Sequence, residues 1–362
     1  MKKISSIFFT IAFLYLTVCL ATFPDRALTA GQSAMEVCLR SVIPALFPYL
    51  VCSGYLSASG IMTVFSRYLS PLMRPIFNVS GCGAAAFVLG SVSGYPVGAV
   101  VARDLFLSGS CTKNEAERLL AFCNNSGPLF IVSVVGIGFL GSASVGQTLY
   151  ISHLFSAVLT GIILRTFSKK DSASLKALPS ATAKIKNTPA LLGGVIDSAV
   201  FTMLKICGFV VFFSVFSASF PKTAVAPYIH SFFEITGGIK ELSSLNISHS
   251  FKLSLISFFL AFSGVSVMLQ VGAVVSSSGL SLKPFLFGKI LQGGLSFVIT
   301  KILVEKFPQT VDVSTKNAAA ESFKIPHSVF TSYLFMLVFG LSLLFLIAWL
   351  VRFLCLTSRQ KA

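Results

Sequence analysis

The stretch LLAFCNNSGPLFIVSVVGIGFLG, residues 119–141, decides the fold. It is apolar and long enough to cross a bilayer, which takes about 20 residues in a helix. Residues 124–128, NNSGP, nevertheless interrupt it. Because an unpaired backbone group in lipid is costly, irregular backbone survives there only inside protein or beside a water-filled cavity. The stretch therefore predicts a discontinuous helix whose break faces the interior of a membrane protein.

The composition is that of a membrane protein. Of the 362 residues, 54% are hydrophobic and only 11% are charged, whereas a soluble domain carries about 25% charged residues. Apolar runs of near-membrane length recur along the chain without the alternation of a barrel strand. We expect an all-α polytopic membrane protein with about eight to ten membrane segments, some of them broken or re-entrant helices.

The net charge of +16 indicates membrane topology rather than nucleic-acid binding. Basic residues cluster between Arg165 and Pro189 and near both ends of the chain, as the positive-inside rule predicts for cytoplasmic segments. No basic patch with interleaved aromatic residues occurs, so nucleic acid is not expected as a partner. The expected partner is the lipid bilayer, and the question whether the chain forms a homo-oligomer stays open.

Composition divides the chain into four regions. Residues 1–30 begin with a basic, apolar segment that suits a cleaved signal peptide or a retained anchor, and the imperfect cleavage pattern favours the anchor. Residues 31–165 and 190–362 are the predicted membrane regions, and a basic cytoplasmic linker, 166–189, joins them. The second region ends in an apolar segment at 328–354.

The two membrane regions resemble each other in sequence. Three pairs of motifs occur in the same order: FNVSG (77–81) with FEITG (233–237), SGYPVGAVV (93–101) with SGVSVMLQVGAVV (263–275), and NNSGPLFIV (124–132) with LQGGLSFVI (291–299). Transporters built from such repeats place broken helices at the bilayer midplane, around the substrate. We therefore expect two related repeats, with a weaker break at LQGGLSF.

Helix-breaking and polar residues within the apolar runs are the candidates for substrate binding. Half-helix N-termini are expected near Tyr95–Val97 and Pro128–Phe130, where free N–H groups and the positive end of a dipole suit an anionic or polar ligand. A plain proline kink is the alternative for SGYP, and helix–helix hydrogen bonding is the alternative for the glutamines. The candidates are Ser93, Gly94, Tyr95, Pro96, Asn124, Asn125, Ser126, Gly127, Ser263, Gln270 and Gln292.

Three acidic residues are candidates for ion coupling, because a charge inside a membrane is costly and is functional by default. Glu234, beside Gly237 and Gly238, is the strongest of them. Glu36 and Asp197 each open the first long apolar run of their region, where a headgroup position competes with a coupling role. No nucleophile–base pattern and no metal-ligand spacing occurs, so we expect no enzyme activity, cofactor or metal.

Several motifs together resemble one family. SGYPVGA, EAERLLAFCNNSGPLFIVSVVGIGFLG with the later SHLFSA, and SGVSVMLQV with the later KPFLFGKILQGG are similar to sporulation integral membrane proteins that carry a nucleoside-recognition, or gate, domain. These proteins are distant relatives of the concentrative nucleoside transporters. The resemblance covers residues 35–305. It implies a bacterial cell-membrane protein that transports dipicolinate across the outer forespore membrane during sporulation.

The expected function is therefore transport of a small polar or anionic solute, with dipicolinate as the first candidate. An aromatic dicarboxylate suits two half-helix N-termini and the amide side chains, and Tyr95 is available for stacking. Two alternatives stay open. One is transport of a nucleoside-type solute outside sporulation, and the other is a non-transporting scaffold for assembly of the spore envelope.

Overall fold

Every regular element is helical in the part of the chain that the computed structural model describes, as expected for an all-α fold. The described residues fall in four stretches: 2–59, 71–166, 189–220 and 223–307. The predicted linker lies almost wholly outside them, and so does the apolar segment 328–354.

The first half contains seven α-helices, two π-helical segments and a short helical stretch at 71–77. The elements are α1 (Lys2–Thr22), α2 (Pro24–Val37), π1 (Cys38–Val42), α3 (Ile43–Ala58), α4 (Gly83–Ser93), α5 (Val97–Leu107), α6 (Lys113–Cys123), π2 (Leu129–Phe139) and α7 (Ala143–Arg165). Helix α6 starts with a capping box, in which the Thr112 hydroxyl accepts from the Glu115 N–H and the Glu115 carboxylate accepts from the Thr112 N–H.

The second half alternates long and short helices over its described residues. They are α8 (Pro189–Ala218), α9 (Ala226–Phe233), α10 (Ile235–Ser243), α11 (His249–Phe262), α12 (Gly264–Val275) and α13 (Lys283–Lys306), with one 3₁₀ turn at Ser276–Ser278.

Four described segments are long and apolar enough to cross a membrane: Ala143–Arg165, Leu191–Ala218, His249–Ser278 and Lys283–Lys306. The third of these comprises α11 and α12 and contains a helix break. Shorter apolar helices accompany them, including α4 and π2. The chain is thus a polytopic membrane protein, and the total of eight to ten membrane segments stays a prediction.

Helix α13 runs without interruption through LQGGLSF, so the predicted weaker break at this motif is wrong. The glycines serve packing instead. A Cβ at Gly293 would lie 3.0 Å from the ring of Phe258 on α11, and a Cβ at Gly288 would collide with Ala121 on α6. Their absence allows α13 to pack closely against both helices.

Two hydrophobic clusters form the core of the described residues. The first is built mainly from α4, α5, α6 and α8, and the second mainly from π2, α7, α10 and α11. Tyr95 and Met268 pack against both clusters. Because Tyr95 lies in the SGYP break, the interrupted helices stand at the boundary between the clusters.

Candidate functional site

The first break, SGYP, separates α4 from α5. Gly94 has φ 91° and ψ 171°, a backbone conformation that side chains with a Cβ rarely adopt. Tyr95 follows, and α5 begins at Val97, where the sequence predicts a half-helix N-terminus. The peptide bond between Tyr95 and Pro96 is cis.

The second break, NNSGP, separates α6 from π2, as predicted. Helix α6 ends at Cys123, residues 124–127 are not helical, and π2 begins at Leu129. Pro128 stands immediately before π2, where its missing N–H removes no helical hydrogen bond.

The two breaks are in direct contact. Cβ atoms placed on Gly90 of α4 and on Gly98 of α5 would both collide with the Cys123 carbonyl at the end of α6. A Cβ on Gly127 would lie 3.2 Å from the Ser93 carbonyl. These close approaches require glycine, and they join the ends of α4 and α6 and the first turn of α5 into one junction.

The second half supplies two further breaks. Ser263 (φ 77°) separates α11 from α12, whose first residue, Gly264, also has a positive φ (72°). Extended Glu234 separates α9 from α10. On α12, the Gln270 amide donates to the Ser266 hydroxyl over 3.3 Å. Ser263 and Gly264 repeat the Ser-Gly dipeptide of the first break, although the duplication of the whole architecture stays a prediction.

A cavity of about 390 Å³ lies where these breaks meet. Its walls come from π1 and the start of α3, from the SGYP and NNSGP breaks, and from π2, α8, α10 and α12. Six of the predicted substrate-binding residues line it: Ser93, Gly94, Tyr95, Ser126, Gly127 and Gln270. Residues far apart in the sequence therefore share one site.

Several hydroxyl groups in the cavity wall lack a hydrogen bond of normal geometry within the described part of the chain. They belong to Ser93, Tyr95, Ser126 and Ser133, with the Tyr95 hydroxyl facing that of Ser126. An unsatisfied buried hydroxyl costs roughly 1–3 kcal/mol, and a serine hydroxyl turns readily to reach a partner. This is the pattern of a wall that a polar ligand or water satisfies.

Asn125 and Gln292, also predicted to bind substrate, lie behind the wall instead of on it. The Asn125 amide donates to the Ser91 hydroxyl (3.2 Å) and to the Phe122 carbonyl (2.9 Å), and its oxygen accepts from Gln292 (2.9 Å). Because these bonds occupy both side chains, they tie α4, α6 and α13 together. Neither side chain lines the cavity, and substrate contact by this pair stays a prediction.

Three other predicted residues also lie off the cavity surface. Asn124 is fully buried, and its side-chain amide has no hydrogen-bond partner among the described residues. Pro96 is buried between Tyr95 and α5, and the Ser263 hydroxyl donates to the Ala261 carbonyl (3.3 Å). All three shape the backbone at a break without forming the surface that a solute meets.

Lys289 is the residue that sequence reasoning missed. It is completely buried on α13, and its ammonium donates to the Asn124 carbonyl and, over 2.8 Å, to the Gln292 side-chain oxygen. Nearby, the imidazole of His153 accepts from the Ser126 N–H (3.0 Å). The available signal was a basic residue inside an apolar helix, three positions before a glutamine.

The three acidic candidates have different surroundings. Glu234 is buried in the cavity wall, where its carboxylate caps α10 by accepting from the N–H groups of Thr236 (2.9 Å) and Gly237 (2.8 Å). Glu36 is exposed and paired with Arg40 at 3.1 Å, and Asp197 is exposed on α8. Only Glu234 lies where it can act on the cavity contents.

Comparison with known proteins places the chain in a family. It is 31% identical, over 341 residues, to the protein described as "Sporulation integral membrane protein YlbJ" of Bacillus subtilis, and the match covers 84% of each chain. No protein-family model and no solved structure matches it. With this identity over most of both sequences, the chain belongs to the family of sporulation integral membrane proteins that includes YlbJ.

Proposed function

We propose that this integral membrane protein is a transporter for a small anionic solute, that dipicolinate is this solute, and that it is not an enzyme. The observation that carries the proposal is the cavity at the meeting point of the broken helices. Its volume of about 390 Å³ falls within the range of small-molecule sites, about 300–1,000 Å³. A scaffold would have no use for helix breaks around such a cavity, since broken backbone inside a membrane is costly.

The chemistry of the wall suits an aromatic dicarboxylate. The first turn of π2 contributes Leu129 and Phe130 to the wall, and the positive end of a helix favours an anion. Ser93, Ser126 and Gln270 offer hydrogen-bond donors for carboxylate oxygens. Tyr95 offers an aromatic ring for stacking.

The physiological setting of the proposal follows from the family. Its B. subtilis relative is described as a sporulation integral membrane protein, which supports a membrane role during sporulation. The outer forespore membrane, which the resemblance to gate-domain sporulation proteins implies, is the proposed location. The resemblance to gate-domain proteins makes a nucleoside-type solute the competing substrate class, so the test includes one.

Glu234 is the proposed site of ion coupling. It lies in the wall of the central cavity and also in that of a second cavity of about 270 Å³, which His230, Lys240 and Glu241 line as well. A carboxylate shared by two cavities is placed to exchange a cation between them, and its two N–H bonds leave oxygen lone pairs free for that cation.

The experiment is uptake of labelled dipicolinate and labelled uridine into proteoliposomes. We expect uptake of dipicolinate above empty vesicles, and a loss of about tenfold or more in Gln270→Leu, because a hydrogen bond to a charged group contributes about 1.5–3 kcal/mol. The matched control is Gln147→Leu on α7, outside the cavity wall, which leaves uptake unchanged. Uptake of uridine without uptake of dipicolinate would make a nucleoside-type solute the substrate. If neither solute is taken up above empty vesicles, the transport proposal is wrong.

A further inference from the structure

Lys289 is a buried amine with no acidic group among its hydrogen-bond partners. Its side chain is completely buried, and both of its hydrogen-bond acceptors, the Asn124 carbonyl and the Gln292 amide oxygen, are neutral. An ammonium has three N–H donors, so these two acceptors leave one donor over. None of the ion pairs among the described residues includes Lys289.

This arrangement needs an explanation, because a charge taken out of water without a partner is strongly destabilising. The neutral oxygens offset part of that cost, since hydrogen bonds that involve an ionised group are about twice as strong as neutral ones. They do not cancel the charge. A cation at this position therefore favours any anion that comes near it.

The central cavity is the place from which an anion can come near. Lys289 holds the carbonyl of Asn124, and Ser126 and Gly127 of the same nonhelical segment form the cavity wall. Residues 124 and 126 are at most about 7 Å apart along the chain. The ammonium thus stands one layer of backbone behind the wall.

The other charged groups of the wall do not supply the missing charge. Glu234 caps α10 through two backbone N–H groups. Arg40 also lines the cavity, but it is itself a cation and pairs with exposed Glu36. The side chains hydrogen-bonded to Lys289 or to its acceptor Gln292, those of Gln292 and Asn125, are uncharged amides. The cation on α13 is left to act on the cavity contents.

We propose that an anionic group of the transported solute is the counter-charge of Lys289, which makes this lysine the residue that selects anions over neutral molecules of the same shape. The inference rests on the proposed transport function and deepens it. Lys289 acts across the wall at Ser126 and Gly127 without touching the solute, and it positions that wall through Asn124 and Gln292.

The effect of Lys289 on affinity should scale with the charge of the ligand. A unit charge about 10 Å away, at an effective dielectric constant of about 20, changes affinity roughly 15-fold for each charge on the ligand. Neutralising Lys289 should then weaken a dianion roughly 200-fold, a monoanion roughly 15-fold and a neutral ligand little. A lysine that only braces the wall would weaken all three ligands alike.

The test uses three ligands of one shape: pyridine-2,6-dicarboxylate, its monoamide and its diamide, with charges of −2, −1 and 0. Their affinities for the purified full-length chain in lipid nanodiscs are measured by titration calorimetry. The variants are Lys289→Met and Lys289→Gln, of which the second retains an amide donor for the Asn124 carbonyl. Lys301→Met, an exposed position on the same helix, controls for general loss of positive charge.

We expect the wild type to prefer the dianion, the two Lys289 variants to lose affinity in proportion to ligand charge, and Lys301→Met to behave as the wild type. Equal losses for all three ligands would overturn the role in selection. If the variants fail to fold, the affinities of the wild type alone still test the role of Lys289 in selection. A diamide that binds to the wild type as tightly as the dianion would overturn that role. A wild type that binds none of the ligands removes the proposed function and this inference together.

Discussion

Replacing Gly98 with alanine should separate the two helix breaks from each other. The added Cβ would lie 2.8 Å from the carbonyl carbon of Cys123 and 3.1 Å from the Cα of Asn124, closer still to the Cys123 oxygen. These are backbone atoms, so no side chain can turn aside. Restoring a carbon–oxygen separation of about 3.3 Å requires α5 and the end of α6 to move apart by about 1 Å, within a junction that both breaks share.

Overpacking of this kind costs about 1–3 kcal/mol, and we expect the upper part of that range because the obstacle is backbone. The matched control is Gly294→Ala on α13, where a Cβ meets nothing within 4 Å and alanine gains up to about 1 kcal/mol in helix propensity. Thermal unfolding of the purified full-length protein in detergent measures both. Gly98→Ala should unfold roughly 5 °C below the wild type and Gly294→Ala at or slightly above it. A Gly98→Ala protein as stable as Gly294→Ala would refute the close contact at Cys123.

Three further changes have defined outcomes. Asn125→Leu should lower the unfolding temperature as well as uptake, because it leaves one N–H donor of the Gln292 side chain without its acceptor, at a cost of about 1–3 kcal/mol. Loss of uptake at full thermal stability would instead indicate that Asn125 contacts the substrate. Glu234→Gln should abolish the ion dependence of dipicolinate uptake while dipicolinate binding persists, and unchanged ion dependence would exclude Glu234 from coupling. Thr112→Ala should cost about 1 kcal/mol of stability through the lost cap of α6, with no effect on ligand affinity, and an unchanged unfolding temperature would show that the cap is dispensable.

The local signals in the sequence located the breaks but not their partners. Pro96 and Pro128 each stand immediately before a new helix, as the chemistry of proline dictates. The pair Gly293–Gly294 carried the same apparent signal, yet α13 continues through it, because Gly293 accommodates the ring of Phe258 on another helix. Whether a glycine breaks a helix or admits a neighbour depends on what packs against it, and that neighbour is distant in the sequence.

The same limit explains the outcome at the candidate site. Ser93 ends α4, Tyr95 and Ser126 lie in nonhelical backbone, and all three line the cavity. Asn125 is equally polar and lies in the same break, but its bonds to Ser91 and Gln292 turn it away from the cavity. Polarity in an apolar run identified the region of the site, and only the long-range contacts separate the side chains that line the cavity from those that support it.

The bond between the NNSGP break and α13 bears on the order in which the protein can be assembled. Chains are made from the N-terminus, so residues 124–127 are synthesised long before Lys289 and Gln292 exist to bond them. Until then the Asn124 carbonyl and the Asn125 side-chain oxygen must find temporary partners during membrane insertion. Completion of the first half thus waits for the last described helix, and a chain that stops before α13 leaves the NNSGP break without two of its hydrogen bonds.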